Sequence, residues 1–394
     1  MSSKSCFEIA FLLGLIFVCT NAEDRVFNVH SYGAKADGIT DDSKAFLNAW
    51  TDACKWNGKA TIVIPLGVYM VYDAIFSGPC NALALTFEIR GDIKAPRDPK
   101  IYCKESWIKF QHINYVEIKG HGTLDGQGDC AWGKHECTPL PFTLGLYFIN
   151  NSVVHGIHSL NSKGVHINVF ACDNLKFRRV HIKAPGNSPN TDGIHIGHST
   201  NIQVLDSNIS TGDDCIAMIA GSKNINISGV TCGPGHGISV GSLGQLQTHE
   251  VVNQIHVQNC TFIATQNGVR IKTWASSNPG SATNITFEDI TMIKAGNPIF
   301  IDQHYCPLGP CNQQESSVQI KDLTYKNIRG SSSSLAAVTF NCSASFPCKG
   351  IILNDINLEY HGPGGPAIEL CAHAIGKATG KELPPSCLMS SFHS

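Results

Sequence analysis

The chain of 394 residues carries 29 Lys and Arg against 31 Asp and Glu, a formal charge of −2. So balanced a chain has no basic field for nucleic acid, and an anionic substrate would have to be held by local cations. Only 15% of residues are charged, while Gly, Asn, Ser, Ile and Val are abundant, which suits many short strands and turns better than amphipathic helices.

Residues 1–22 read as a secretory leader. Lys4 supplies the positive start, Ile9 to Cys19 form an apolar run too short to span a bilayer, and Thr20 and Ala22 give a small-residue cleavage site. The mature chain is expected to begin near Glu23, outside the cell and free of the membrane. Of 17 Cys, two leave with the leader and fifteen remain, so at least one thiol is left over. Close pairs invite bridges: Cys130 with Cys137, Cys215 with Cys232, Cys306 with Cys311, Cys342 with Cys348, and Cys371 with Cys387. No two-residue Cys spacing suggests zinc. Sequons at Asn150, Asn208, Asn226, Asn259, Asn284 and Asn341 fit a secreted glycoprotein.

Past the leader, FNVHSYGAKADGITDD reads as a strand and a Gly-rich turn. Thr40 or Asp41 then caps a helix over 42–57, whose Ala45, Phe46, Ala49 and Trp50 have helical spacing. Strands ATIVIP and VYMVYDAIF follow. From Trp107 a turn of Asn or Gly precedes four to six residues of alternating Ile and Val, again and again. Ile202, Ile225, Ile255, Ile285, Ile320 and Ile352 mark comparable positions at gaps of 23 to 35 residues. Strands joined by turns at such a period predict a parallel β-helix, a solenoid whose length adds coils rather than domains. The helix would cover its open N-terminal end. The β-helix domain is expected over 23–388, with a tail at 389–394, and the Cys371–Cys387 loop closing the far end.

The densest stretch is 187–242, reading NSPNTDGIHIG, STGDDCIAMIAG and CGPGHGISVGS. Asp192 is 21 residues from Asp213, Asp214 is 22 from His236, His236 is 34 from Arg270, and Arg270 is 35 from Tyr305. If these are successive coils, about 4.8 Å apart, three carboxylates, an imidazole and two cations share one face. Glycoside hydrolysis needs one protonated carboxyl at the leaving oxygen and one carboxylate on a water. Three crowded carboxylates force one pKa up, which creates such an acid. Arg270 and Lys272, at i and i+2, point to one side of a strand and suit a sugar carboxylate. Gly235 and Gly237 allow unusual backbone angles or close approach of a sugar at His236. Tyr305 either packs on a sugar ring or stiffens the Cys306 loop, and Asn190 orients the NTD turn. Binding of Ca²⁺ is the competing reading of paired Asp.

NTDGIH, GDDCIA, GHGISVGS and RIK, in this order and followed by YC, resemble the four signature motifs of the polygalacturonases of glycoside hydrolase family 28. The resemblance spans nearly the whole mature chain. It implies a right-handed, single-stranded parallel β-helix and inverting hydrolysis of α-1,4 bonds in galacturonan, with no metal or other cofactor. It further implies that Asp213 is the acid, that Asp192 and Asp214 hold the water, and that His236 sustains the acid's protonation. Arg270, Lys272, Tyr305 and Asn190 become the substrate-binding set, pectin the partner, and a monomer in the cell wall the working form. KAPGNSPNTDGIHI followed by GVRIKTW looks most like the exo-acting, pollen-type members. The alternatives are an endo-acting enzyme, a pectate lyase, a rhamnogalacturonan hydrolase, or an inactive wall-binding β-helix.

Overall fold

The computed structural model describes residues 4–9, 16–21, 23–98, 104–133, 140–307, 309–311 and 313–390. From Arg25 onward every ladder between its strands is parallel, and each strand pairs with its counterpart one coil away. The result is a right-handed parallel β-helix. Lys4–Ile9 and Ile16–Asn21 form a separate antiparallel ladder; the rest of the leader expected over 1–22 lies outside the described residues.

Each coil lays down up to three strands, and alternation sends every second side chain inward. Leu144, Ile167, Ile194, Ile216, Ile238, Val269, Ile299 and Val338 are register partners along one sheet. All are sealed from solvent, and a fully buried side chain of this size contributes roughly 1.5–3 kcal/mol. In the next sheet the column runs Leu175, Ile202, Ile225, Ile255 and Ile285. It continues through Leu323 and Ile351, not Ile320 and Ile352. Ile320 pairs with Ala282 instead. The two frames differ because Asp322, at φ 58°, inserts a left-handed residue between Ile320 and Leu323.

Such residues make the corners. Asn151, Asn174, Asn201, Asn224, Gln254 and Asn284 all have φ between 51° and 60°, a region Asn tolerates better than most. Their side chains bond from coil to coil, Asn174 Nδ2 donating to Asn151 Oδ1 at 2.8 Å. The recurring Asn of the sequence is this corner.

The helix runs Ser43–Lys55 and buries Phe46, Ala49, Trp50 and Ala53. Trp50 packs on Phe76 and Phe110, which roofs the first coils with aromatic surface. Its N-cap is Asp42, whose carboxylate turns away to accept from Lys35 and Ala36 N–H; Asp41 Oδ1 accepts from Ser43 N–H at 3.0 Å. Disulfides join Cys215–Cys232, Cys306–Cys311, Cys342–Cys348 and Cys371–Cys387 as expected. Cys54–Cys80 ties the helix end to the next coil. Cys130 keeps a free thiol, and its expected partner Cys137 lies outside the described residues. No helix among the described residues is long and apolar enough to cross a membrane.

Candidate active site

Asp192, Asp214 and His236 each stand two residues before an inward Ile of the same column, Ile194, Ile216 and Ile238. Register therefore stacks them at one corner of three successive coils. Backbone bonds hold that corner: Gly193 N–H donates to Asp214 O at 2.9 Å, and His236 N–H to Asp213 O at 2.8 Å. Cys215–Cys232 anchors the chain directly behind Asp214. The column continues as Asn267 and Asn297. Asn267 Nδ2 donates to His236 O at 3.2 Å, and Asn297 Nδ2 to Asn267 Oδ1 at 3.0 Å. The glycines beside His236 serve this stacking rather than access of a sugar. At Gly237, φ 92°, a Cβ would stand 2.2 Å from Gly268 O, and at Gly235, φ 153°, 2.9 Å from Asp213 O.

Asp214 is the innermost carboxylate, with 1% of its side chain exposed. Arg270 Nη2 and Ser239 Oγ both donate to Oδ1 at 2.8 Å, and Lys272 Nζ donates to Oδ2 at 2.8 Å. Arg270 Nε also donates to Ser239 Oγ at 3.0 Å. Burial pushes the Asp214 carboxyl up, but Lys272 and Arg270 outweigh it and hold it below the ordinary carboxylate range. The sequence reading left both cations free for substrate. A carboxylate this deep is costly without partners, and the two cations meet that cost first, each keeping further N–H groups for a ligand.

Asp213 lies farther out than Asp214, with 19% of its side chain exposed. Its Oδ1 sits 2.9 Å from His236 Nδ1 and accepts from Asp214 N–H at 2.8 Å; Asn190 Nδ2 stands 3.5 Å from Oδ2. Asn190 has φ 53°, so it shapes the turn as well as reaching Asp213. The carboxyl raised well above its ordinary range is Asp192, by burial first and then by Asp213 and Asp214. Tyr305 joins the site: its ring centroid lies 5.1 Å from Lys272 Nζ, with Trp274 packed edge-on at 5.3 Å. It borders a cavity of about 280 Å³ lined also by Gly244, Gln245, Ser276, Asn278 and Pro310.

All eight expected residues thus fall in one neighbourhood. Sequence reasoning missed Ser239, which links Arg270 to Asp214, and His195, which lies on the same sheet face. Their signal was alternation. His195 stands between inward Ile194 and Ile196, and Ser239 between Ile238 and Val240, so both face outward beside the acids. One oxygen or nitrogen from each of Asp213, Asp214 and His236 falls within 4.8 Å of the others, a spacing a metal could bridge. The oxygens of Asp214 already face two cations, which repel a divalent ion and favour a hydrogen-bonded acid site.

Residues 54–378 match the sequence profile of Glycosyl hydrolases family 28. The chain is 44% identical to an exopolygalacturonase of Platanus acerifolia, over 91% of this chain and 97% of that protein. It is 45% identical to a polygalacturonase of Prunus persica, over 98% and 99%. In three dimensions it resembles endo-xylogalacturonan hydrolase from Aspergillus tubingensis, with TM-score 0.78 and 22% identity over 91% of this chain and 100% of that one. A hyperthermoactive exopolygalacturonase from Thermotoga maritima gives 0.69 and 19%, over 86% and 89%.

Proposed function

The chain belongs to glycosyl hydrolase family 28, and on that premise we propose that it is a secreted enzyme of the cell wall that hydrolyses α-1,4-galacturonosyl bonds of polygalacturonate with inversion, working as a monomer from the chain end. The observation that carries this is the stack of Asp192, Asp214 and His236 on one corner, with Asp213 turned outward and Arg270 and Lys272 alongside.

Asp213 donates to the leaving oxygen, because it is the carboxyl beside His236 that substrate can reach. Asp214 remains a carboxylate under its two cations, and its Oδ2 retains a lone pair for a water. Burial, then Asp213 and Asp214, raise the Asp192 carboxyl. With Asp213 protonated at the glycosidic oxygen, Asp192 and Asp214 activate the water on the opposite side of the bond. The spare N–H groups of Arg270 and Lys272 take the carboxylate of the adjoining sugar.

Chain-end action is supported by the loops beyond Lys272. Asn278 Nδ2 donates to Gln245 O at 3.0 Å, and Ser317 N–H to Ser276 O at 2.9 Å. With Cys306–Cys311 closing the second insertion, three loops form a tied wall around Tyr305. Viscometry together with chromatography of early products tests the reading: monomeric galacturonic acid should accumulate while viscosity barely moves. A steep early loss of viscosity with a ladder of oligomers refutes chain-end action, and an unsaturated product absorbing in the ultraviolet refutes hydrolysis.

A further inference from the structure

Among the described residues, His195 is the one cleft-facing group beside the acids whose polar atoms are left idle. Both ring nitrogens are buried without a hydrogen-bond partner among those residues. A buried polar atom left unpaired costs about 1–3 kcal/mol, so such a ring calls for a partner that arrives from outside.

Its place in the register says where that partner lies. His195, Ala217, Ser239 and Arg270 are successive partners along the outward side of the site sheet. Asp214 belongs to the coil of Ala217, between the other two. His195 therefore stands on one side of the acids and Arg270 on the other, three coils or about 14 Å apart. The register neighbour of His195 toward the acids is the small Ala217. A sugar chain laid along the axis meets Arg270 and Lys272 on one side of the cleaved bond and His195 on the other.

The ring's chemistry says what it takes. Burial lowers its pKa despite Asp214 nearby, with Lys272 acting in the same direction. That favours the neutral ring, which offers one N–H and one lone pair. A carboxylate only accepts, so it would use half of that capacity. Neighbouring hydroxyls of a sugar ring, one accepting and one donating, use all of it.

We propose that His195 is a substrate-binding residue that holds two hydroxyls of the galacturonosyl ring lying across the cleaved bond from Arg270 and Lys272. The assignment rests on the polygalacturonate reading and names the group that holds the second sugar.

The test uses the full mature chain with His195→Ala and His195→Asn, kinetics on polygalacturonate, and calorimetric titration with galacturonic acid. His195→Ala should raise KM about ten- to a hundred-fold with kcat changed much less, and should weaken galacturonic acid binding to match. His195→Asn, whose amide offers a donor and an acceptor, should recover part of both. The urea midpoint of His195→Ala should equal or exceed the wild-type value, because an unpaired group has been removed. A lowered midpoint with unchanged KM makes His195 a packing residue and overturns the proposal, as does equal galacturonic acid binding by wild type and His195→Ala. If the wild-type chain does not hydrolyse polygalacturonate, the functional reading fails by itself. The titration still decides for His195: binding lost in the alanine variant supports it, and binding kept refutes it.

Discussion

Replacing Asp214 by Asn should unfold the site, whereas replacing Asp213 by Asn should only silence it. Arg270 and Lys272 are each 9% exposed in their side chains, and among the described residues Asp214 is the one carboxylate bonded to both. The amide introduced by Asp214→Asn keeps the shape but removes the charge, leaving two buried cations facing each other. Breaking a buried ion pair by removing one partner costs about 3–5 kcal/mol, a large fraction of ordinary stability. Asp213 loses only a contact with His236, a pair whose side chains are 19% and 35% exposed, so about 1 kcal/mol or less is at stake. Turnover in Asp213→Asn should still fall about 10²–10⁴-fold, since an amide cannot donate the proton. Urea denaturation followed by Trp fluorescence, with product release on polygalacturonate, separates the two. The double variant Asp214→Asn/Lys272→Met removes the surplus cation and should regain part of the loss, with a coupling of about 0.5–3 kcal/mol. An Asp214→Asn protein as stable as wild type would mean that water already screens both cations, and the account of the cluster would fall. An Asp213→Asn protein keeping a third of its turnover would take the acid role from Asp213.

Methyl-esterified pectin should be a poor substrate, because the ester removes the charge that Arg270 and Lys272 attract; equal initial rates on esterified and de-esterified pectin contradict this. Stability should fall between pH 5 and 7. Burial raises both Glu369 and Glu382 at the C-terminal end to about 7, Glu382 also through Glu369, against roughly 4.3 in an unfolded chain. The folded state therefore binds more protons in that window and loses their contribution as pH rises, by about 1–2 kcal/mol once solvent screening of these partly exposed carboxyls is allowed for. Urea midpoints at pH 5 and 7.5 should converge in Glu369→Gln/Glu382→Gln, and an undiminished difference would clear these two groups.

Much of the site was legible because its parts sit at fixed offsets from inward Ile residues. Asp192 and Ile194, Asp214 and Ile216, His236 and Ile238 share one spacing, so reading the core column reads the site. The column itself misled at two coils: VQIKDL holds both Ile320 and Leu323, and the left-handed Asp322 between them decides the phase, while in GIILND the inward residue is Ile351 and not its neighbour Ile352. Long-range chemistry was not legible. Nothing in the local sequence shows that Arg270 and Lys272 spend their first bonds on a carboxylate in another coil. Nor does it show that two cations lower Asp214 while Asp192 is raised. Cys54–Cys80 escaped because its partners belong to different elements, one at the end of a helix and one in a loop of the next coil.

The same geometry explains why coil length is free to vary where coil register is not. The loops at 244–249, 275–279 and 306–317 lengthen the later coils, yet Val269 still pairs with Ile238 and Ile299 with Val269. Loop closure cost grows slowly with length, so such insertions barely burden the fold, and they can be shaped into walls around a cleft. A slip of one residue within a strand has the opposite character. It would send Arg270 and Lys272 into the core and Ile271 out to solvent, stranding Asp214 without its cations. The charge cluster and the isoleucine column therefore enforce one another. The apolar column fixes which side chains face the cleft, and the buried ion pair penalises any register that would turn them away.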